Sequence, residues 1–329
     1  MTDRLDSLPL PVSKLALGTW AMAGGQLWGP QDEADSHATV HAALDAGITL
    51  IDTAPGYGGG LSEEVLGRAL KGRRDRALIA TKIGSGDLEP AKVTASCEAS
   101  LRRLQTDCID LLQIHWFRAG APLEDVIAAM ENLRAAGKVR ALGVSNFGPR
   151  QIARVQAAGT GWATNQLCYN LLWRAIEFEI VDACAQSGLG ILCYSPLQQG
   201  LLAGRFKSAA EVPEGRNRTR HFRSDKELSN HDESGHEELT FATIERIRRI
   251  AADLGCPMGD LALAWLLHRP GVTSVLFGAR NPAQVAANLA AASLKLDGAT
   301  LAALNAATAE LKAALGPNAD LWNSASRIE

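Results

Sequence analysis

No stretch of the 329-residue sequence approaches the roughly 18 consecutive apolar residues that a membrane-spanning helix requires. The opening MTDRLDSLPLPVSK holds acids early and no apolar core, which reads against a secretory signal. No sign of charge dominates: 33 Lys and Arg face 36 Asp and Glu, for a net charge of −3 and a pI near 6.2. Such a balance argues against nucleic acid as a partner. Six cysteines (Cys97, Cys108, Cys168, Cys184, Cys193 and Cys256) include no C-x-x-C pair. Neither a zinc site nor a disulfide framework is therefore expected, and the thiols read as reduced ones of a cytoplasmic protein. No internal repeat stands out. No G-x-G-x-x-G follows the first strand candidate, where Gly18-Thr19-Trp20 stands instead, and this argues against a doubly wound dinucleotide fold.

What the sequence has is alternation. Short β-branched and apolar runs, LALGTW, LIDTA, LIATK, LLQIHW, ALGVSN, ATNQL, ILCYSP and SVLFG, begin at residues 15, 50, 78, 111, 141, 163, 191 and 274. Amphipathic stretches lie between them. DEADSHATVHAALDAG closes on Gly47, SEEVLGRALKG reads as opening with an N-cap at Ser62 and stopping at Gly72, and LEDVIAAMENLRAAG ends at Gly137. Strand–helix alternation implies parallel strands, and eight units in one domain, residues 1–329, suit a (β/α)8 TIM barrel. The long final interval contains a polar segment, residues 206–237, of the kind that forms a lid or stays irregular. The C-terminal GPNADLWNSASRIE reads as an irregular tail anchored by Trp322.

In such a barrel, reacting groups sit where strands end. Those ends carry Asp52, Lys82, His115, Ser145-Asn146, Asn165-Gln166 and Tyr194-Ser195, with Tyr57 in the glycine-rich TAPGYGGG just past the second strand. Each has a plain structural reading: Asp52 as a loop cap, Tyr57 as a packing anchor, Lys82 as a strand exit, His115 as a core histidine. Together they form an acid–base unit. A phenol titrates near 10, an adjacent ammonium favours the phenolate, and a carboxylate keeps that ammonium charged. Tyr57, Lys82 and Asp52 can make this chain, with His115 orienting a carbonyl oxygen. Trp20, Trp28 and Trp116, with Tyr57 and His115, are candidate substrate walls. No metal site is expected: His37 and His41 are one helical turn apart without a third ligand, and His221, His231 and His236 read as surface residues. The basic RRDR at 73–76 reads as a solvated turn.

These residues, in this order, resemble the aldo-keto reductases, the NAD(P)H-dependent barrel oxidoreductases. DTAPGYGGGLSEEVLG is similar to the first signature of that family, and LGTW, ATK, QIHW, GKVRALGVSNF, YSPLQQGLL and GARNPAQVAAN extend the likeness over nearly the whole chain. The pattern looks most like the bacterial branch near the potassium-channel β subunits and the general stress-protein reductases. The resemblance implies Asp52, Tyr57, Lys82 and His115 as the catalytic set. It implies that Ser145, Asn146 and Gln166 hold a nicotinamide carboxamide and that Tyr194 stacks on its ring. It places Gly18, Thr19, Trp20 and Asp52 near the cofactor, and Ser195, Pro196, Leu197, Gly200, Leu202 and Arg205 along the pyrophosphate. Gly278, Arg280, Gln284 and Asn288 fall at the adenosine end. Arg280 favours NADP(H), although NAD(H) stays open because Gly278 and Gln284 stand where better-known members carry Lys and Arg.

The leading expectation is an NADP(H)-dependent reductase of aldehydes, ketones or sugar-type hydroxyls, monomeric or a weak homo-oligomer, with no nucleic-acid or membrane partner. Two alternatives differ in class. One is a dinucleotide-binding regulatory subunit with little turnover. The other is a Schiff-base lyase using Lys82, which Asp52 opposes by holding the amine charged.

Overall fold

Every strand expected from the alternation forms. In the computed structural model, which describes Leu5, residues 8–159 and residues 161–329, the strands are β1 (Leu15–Gly18), β2 (Leu50–Asp52), β3 (Leu78–Ile83), β4 (Ile109–Ile114), β5 (Val139–Ser145), β6 (Trp162–Cys168), β7 (Gly190–Tyr194) and β8 (Val272–Gly278). They pair in parallel in chain order, and β8 returns to β1 through Leu15↔Val275 and Gly18↔Gly278, so the sheet closes into a barrel. The helices Glu33–Asp45, Leu61–Ala69, Pro90–Leu104, Leu123–Ala135, Pro149–Ala158 and Ile180–Gln186 connect the first seven strands in turn. Gly47 (φ +84°) and Gly137 (φ +72°) end two of them in the left-handed conformation that glycine adopts without a Cβ penalty.

Period-2 alternation sorts each strand between two environments. Leu50, Leu78, Ala80, Leu111, Ala141, Leu192 and Leu276 turn inward and fill the lower barrel, against which Leu8, Leu10 and Val12 of the N-terminal segment pack. The neighbouring positions, such as Ile51, Ile79, Leu112, Val144 and Leu167, face the helices and form the larger outer core. Above the inner apolar layer the inward positions change character, to Asp52, Lys82, Gln113 and Gln166. The site is the polar top of the barrel's own interior.

Local readings change in several places. Ser62 is not an N-cap; the helix starts one residue earlier, after Gly60. The Ser62 hydroxyl is instead buried between the ends of β1 and β2, 2.8 Å from Thr19 Oγ1 and 3.0 Å from Thr53 Oγ1, and donates to the Thr19 carbonyl at 3.0 Å. Glu63 is also buried, accepting from Thr81 Oγ1 and Arg103 Nε, each at 2.6 Å. Within RRDR, Arg74 is no simple solvated turn residue, for its guanidinium donates to buried Asp110 at 2.6 Å. The segment after β7 is irregular, as its composition suggests, but it is pinned. His221 and His231 are buried rather than on the surface. His221 Nε2 lies 3.0 Å from the Leu172 carbonyl, and Arg220 donates to Glu233 at 2.8 Å and to the Asn318 carbonyl at 2.9 Å. Burial first, with Arg220 nearby, pushes the His221 imidazole down to about 4, so it folds as the neutral ring.

Gly67 lies where the helix Leu61–Ala69 packs against the end of the helix Pro90–Leu104. A Cβ there would lie 2.6 Å from the Arg103 carbonyl oxygen and 2.7 Å from the Leu104 carbonyl carbon, both rigid backbone. Gly67→Ala is expected to lower stability by about 1–3 kcal/mol through overpacking. Urea denaturation checks this, and an unchanged midpoint would show that the two helices slide apart freely.

Candidate active site

The centre of the site is a buried ion pair. Lys82, fully buried on β3, places Nζ 2.7 Å from Asp52 Oδ1 at the end of β2 and 2.9 Å from the Thr53 carbonyl. The other carboxylate oxygen accepts from Gln166 Nε2 at 2.7 Å and, at 3.4 Å, from Gln113 Nε2. Burial works against the Lys82 ammonium, but Asp52 and Tyr57 outweigh it and hold its pKa above the ordinary lysine value. Lys82 is thus a fixed positive charge under the Tyr57 ring, with Nζ 5.2 Å from the ring centroid.

Tyr57 is set by the glycine turn that precedes the helix Leu61–Ala69, where Gly58, Gly59 and Gly60 all adopt positive φ. Its ring stacks on Trp20 at 5.6 Å and meets His115 edge-on at 6.0 Å. The titration of the phenol runs opposite to the expectation from sequence. Burial raises its pKa above 10, and Lys82 only partly offsets this, while Asp52 adds to the rise. In this state Tyr57 is a retained proton, not a phenolate. His115, one residue beyond β4, is pushed down to about 3 by burial and then by the charges of Lys82 and Arg327. It faces the site as a neutral imidazole.

These groups open into a cavity of about 810 Å³ over the C-terminal end of the barrel. Its wall includes Gly18, Thr19, Trp20, Trp28, Asp52, Tyr57, His115, Trp116, Ser145, Asn146 and Gln166. It continues through Tyr194, Ser195, Pro196, Leu197, Gly200 and Arg205 to Gly278, Arg280 and Gln284. Leu202 and Asn288, grouped with these in the sequence, do not line it: Leu202 is buried beneath its turn and Asn288 Nδ2 donates to the Gln284 carbonyl at 2.8 Å. Lys82 also lies behind the wall. Asn165 points away from the cavity, donating to the Phe147 carbonyl at 2.8 Å.

The rim is held in conformations that side chains rarely adopt. Asn146, Ser195, Gln198 and Gln199 all have φ between +43° and +61°. Asn146 accepts from Tyr194 Oη at 2.9 Å and donates to the His115 carbonyl at 3.1 Å, tying β4, β5 and β7 together at the mouth. Sequence reasoning missed Gln113, whose signal was only a polar residue inside an apolar strand. It also missed Gln199, Arg216, Arg218, Asn230 and Arg327 of the wall. Trp322 does reach the cavity from the tail. The metal candidates lie elsewhere: His37 pairs with Glu33 at 3.3 Å, and His41 Nε2 lies 2.8 Å from the Ala69 carbonyl.

A model of the aldo/keto reductase family matches residues 14–309. The chain belongs to this family. It is an oxidoreductase by that membership. It is 37% identical over 292 residues to aldo-keto reductase YhdN of Bacillus subtilis (strain 168), covering 84% of each chain. It is 33% identical over 319 residues to an NADH-specific methylglyoxal reductase of Escherichia coli (strain K12), covering 90% of this chain and 94% of that one. The crystal structure of an aldo/keto reductase from Klebsiella pneumoniae in complex with NADP and acetate superposes with a TM-score of 0.71 at 31% identity. That match covers 90% of this chain and 92% of the other.

Removing the Lys82 charge strands the Asp52 carboxylate, which is 3% exposed. Lys82→Met is expected to cost about 3–5 kcal/mol of stability, the range for breaking one side of a buried pair. Chemical denaturation checks it; a loss below about 1 kcal/mol would mean that Gln166 and Gln113 satisfy Asp52 unaided.

Proposed function

We propose that this aldo/keto reductase reduces small aldehydes and ketones with NADPH, and that Tyr57 Oη donates the proton. The observation that carries this reading is the Lys82–Asp52–Gln166 network directly beneath a neutral, buried Tyr57 at the cavity floor. A carbonyl oxygen placed between Tyr57 Oη and the neutral His115 ring would meet a proton donor on one side and an orienting group on the other. A bound reduced nicotinamide supplies the hydride. As the carbonyl carbon gains it, Tyr57 passes its proton to the oxygen. Lys82 offsets the phenolate left behind until solvent returns a proton. The same raised Lys82 pKa opposes the Schiff-base alternative, because an ammonium hydrogen-bonded to Asp52 and to the Thr53 carbonyl has no lone pair with which to attack.

The residues present fit a dinucleotide. Gln199 Nε2 and Arg216 Nε are buried in the wall without acceptors, as donors awaiting an anionic ligand would be. Ser145, Asn146 and Gln166 would hold the carboxamide, Tyr194 would lie against the ring, and Arg205 and Arg216 would meet the phosphates. Arg280 bears on the choice between NADPH and NADH. Its Nε donates to Gln31 Oε1 at 2.7 Å, its Nη2 to the Pro30 carbonyl, and no carboxylate pairs with it among the described residues. A guanidinium with neutral partners alone suits a ribose 2′-phosphate. The relatives differ here, since one is NADH-specific and another holds NADP.

Tyr57→Phe is expected to bind NADPH as the parent does and to lower turnover by about 100-fold or more. Absorbance at 340 nm with a model aldehyde measures it, and unimpaired turnover would remove Tyr57 from the mechanism. Arg280→Ala is expected to weaken NADPH binding by about tenfold or more with little change for NADH. Equal losses in a fluorescence titration would rule out a 2′-phosphate contact.

A further inference from the structure

The wall of the cavity carries five arginines, and four of them have an evident counterpart or neighbour. Arg327 is neutralised by buried Asp320, at 2.6 and 2.9 Å. Arg280 is clasped by Gln31 and Pro30. Arg205 and Arg280 both act electrostatically on Arg216, so these three cluster at the end assigned above to the phosphates. Arg218 is different. It lies on the Tyr57 side, with Cζ 5.9 Å from the Trp20 ring centroid and 4.5 Å from that of Trp322. Trp20 in turn stacks on Tyr57.

Arg218 has no carboxylate within ion-pair distance among the described residues, and its Nε is buried without an acceptor. Stacking on tryptophans uses the faces of a guanidinium and leaves its edge donors unspent. The segment is not free to swing the side chain out at no cost. Arg220, two residues on, anchors it through Glu233 and the Asn318 carbonyl, and the Arg220 amide donates to the Leu321 carbonyl at 3.1 Å. Burial holds the guanidinium below its ordinary pKa with no compensating charge nearby. A half-buried cation with open donors, one aromatic ring away from the proposed proton donor, is a receptor for an anion.

We propose that Arg218 binds an anionic group, a carboxylate or a phosphate, carried by the carbonyl substrate. This proposal rests on the reductase reading above. The enzyme then selects short acidic aldehydes or ketones, their carbonyl between Tyr57 and His115, their chain over Trp20 and their charge at the Arg218 edge. Arg218 acts on specificity, not on the proton or hydride.

NADPH oxidation by two matched pairs tests this: succinic semialdehyde against butanal, and glyceraldehyde 3-phosphate against glyceraldehyde. The parent enzyme is expected to favour the charged member of at least one pair by about 30-fold in kcat/KM, the scale of a charge-assisted pair. Whichever pair shows it identifies carboxylate or phosphate as the anion. Arg218→Met is expected to erase most of that preference, chiefly through KM, and Arg218→Lys to recover part of it, with NADPH affinity held within about twofold in both. A parent enzyme without preference, or a preference that survives in Arg218→Met, overturns the proposal. So does a matching loss of NADPH affinity, which would assign Arg218 to the cofactor. If NADPH binds but none of the four compounds is reduced, the reductase reading itself fails and this proposal falls with it, a result distinct from good turnover of butanal without charge selection.

Discussion

The site depends on a cation buried inside a barrel. Lys82 is inaccessible to water, and desolvating an ammonium is costly enough that an unpaired amine would shed its proton. Asp52 prevents this, but only because its own charge is satisfied from the other side by Gln166 and Gln113. The four residues come from β2, β3, β4 and β6. Closing the barrel therefore assembles the network, since no two of these neighbours in space are neighbours in sequence. The apolar layer of Leu50, Leu78, Leu111 and Leu192 below it keeps water from entering from beneath. The upper layer can be polar because the lower one is not.

That fixed charge divides the labour among the ionisable groups above it. Burial first, then the charges of Lys82 and Arg327, push the His115 imidazole down to about 3, so it faces the cavity as the neutral ring. The Lys82 charge pulls the phenol of Tyr57 down, yet burial and Asp52 push harder in the other direction. The balance leaves Tyr57 protonated at rest, as its proposed role of proton donor requires, with the Lys82 ammonium beneath its ring. The simpler idea of a phenol made acidic in advance weighs Lys82 and omits desolvation. Both act through the same few ångströms, and the larger sets the resting state.

The barrel and its catalytic candidates were legible because both are written in local pattern. Eight apolar runs separated by capped amphipathic stretches specify parallel closure, and the polar residues ending those runs are carried to one face. Ser62 misled because Ser followed by two acids is a helix-start pattern, while its hydroxyl is spent on the exits of β1 and β2. His221 misled for a related reason. A polar residue in a polar stretch looks solvated until a distant partner, here the Leu172 carbonyl, is folded against it. Arg216 and Arg218 were hidden within a mixed-charge segment where composition suggests only a loop. Their alternation in GRNRTR was the available signal, but it acquires meaning only beside Trp28, Trp20 and Trp322.

Net charge is a poor guide to the field a substrate meets here. The chain carries −3 overall, yet among the described residues the cavity wall holds five arginines and one acidic residue, Asp52, whose charge is already committed to Lys82. Asp320 neutralises Arg327 from behind the wall, which leaves the positive field to Arg205, Arg216 and Arg280 at one end and Arg218 at the other. A concave, low-dielectric wall concentrates such a field, and two separated positive regions call for a ligand set with two separated negative regions. In the proposed reading, a dinucleotide accounts for the first. The second lies against the Trp20 and Trp322 rings on the Tyr57 side, where the proposed anionic group of the substrate would meet it.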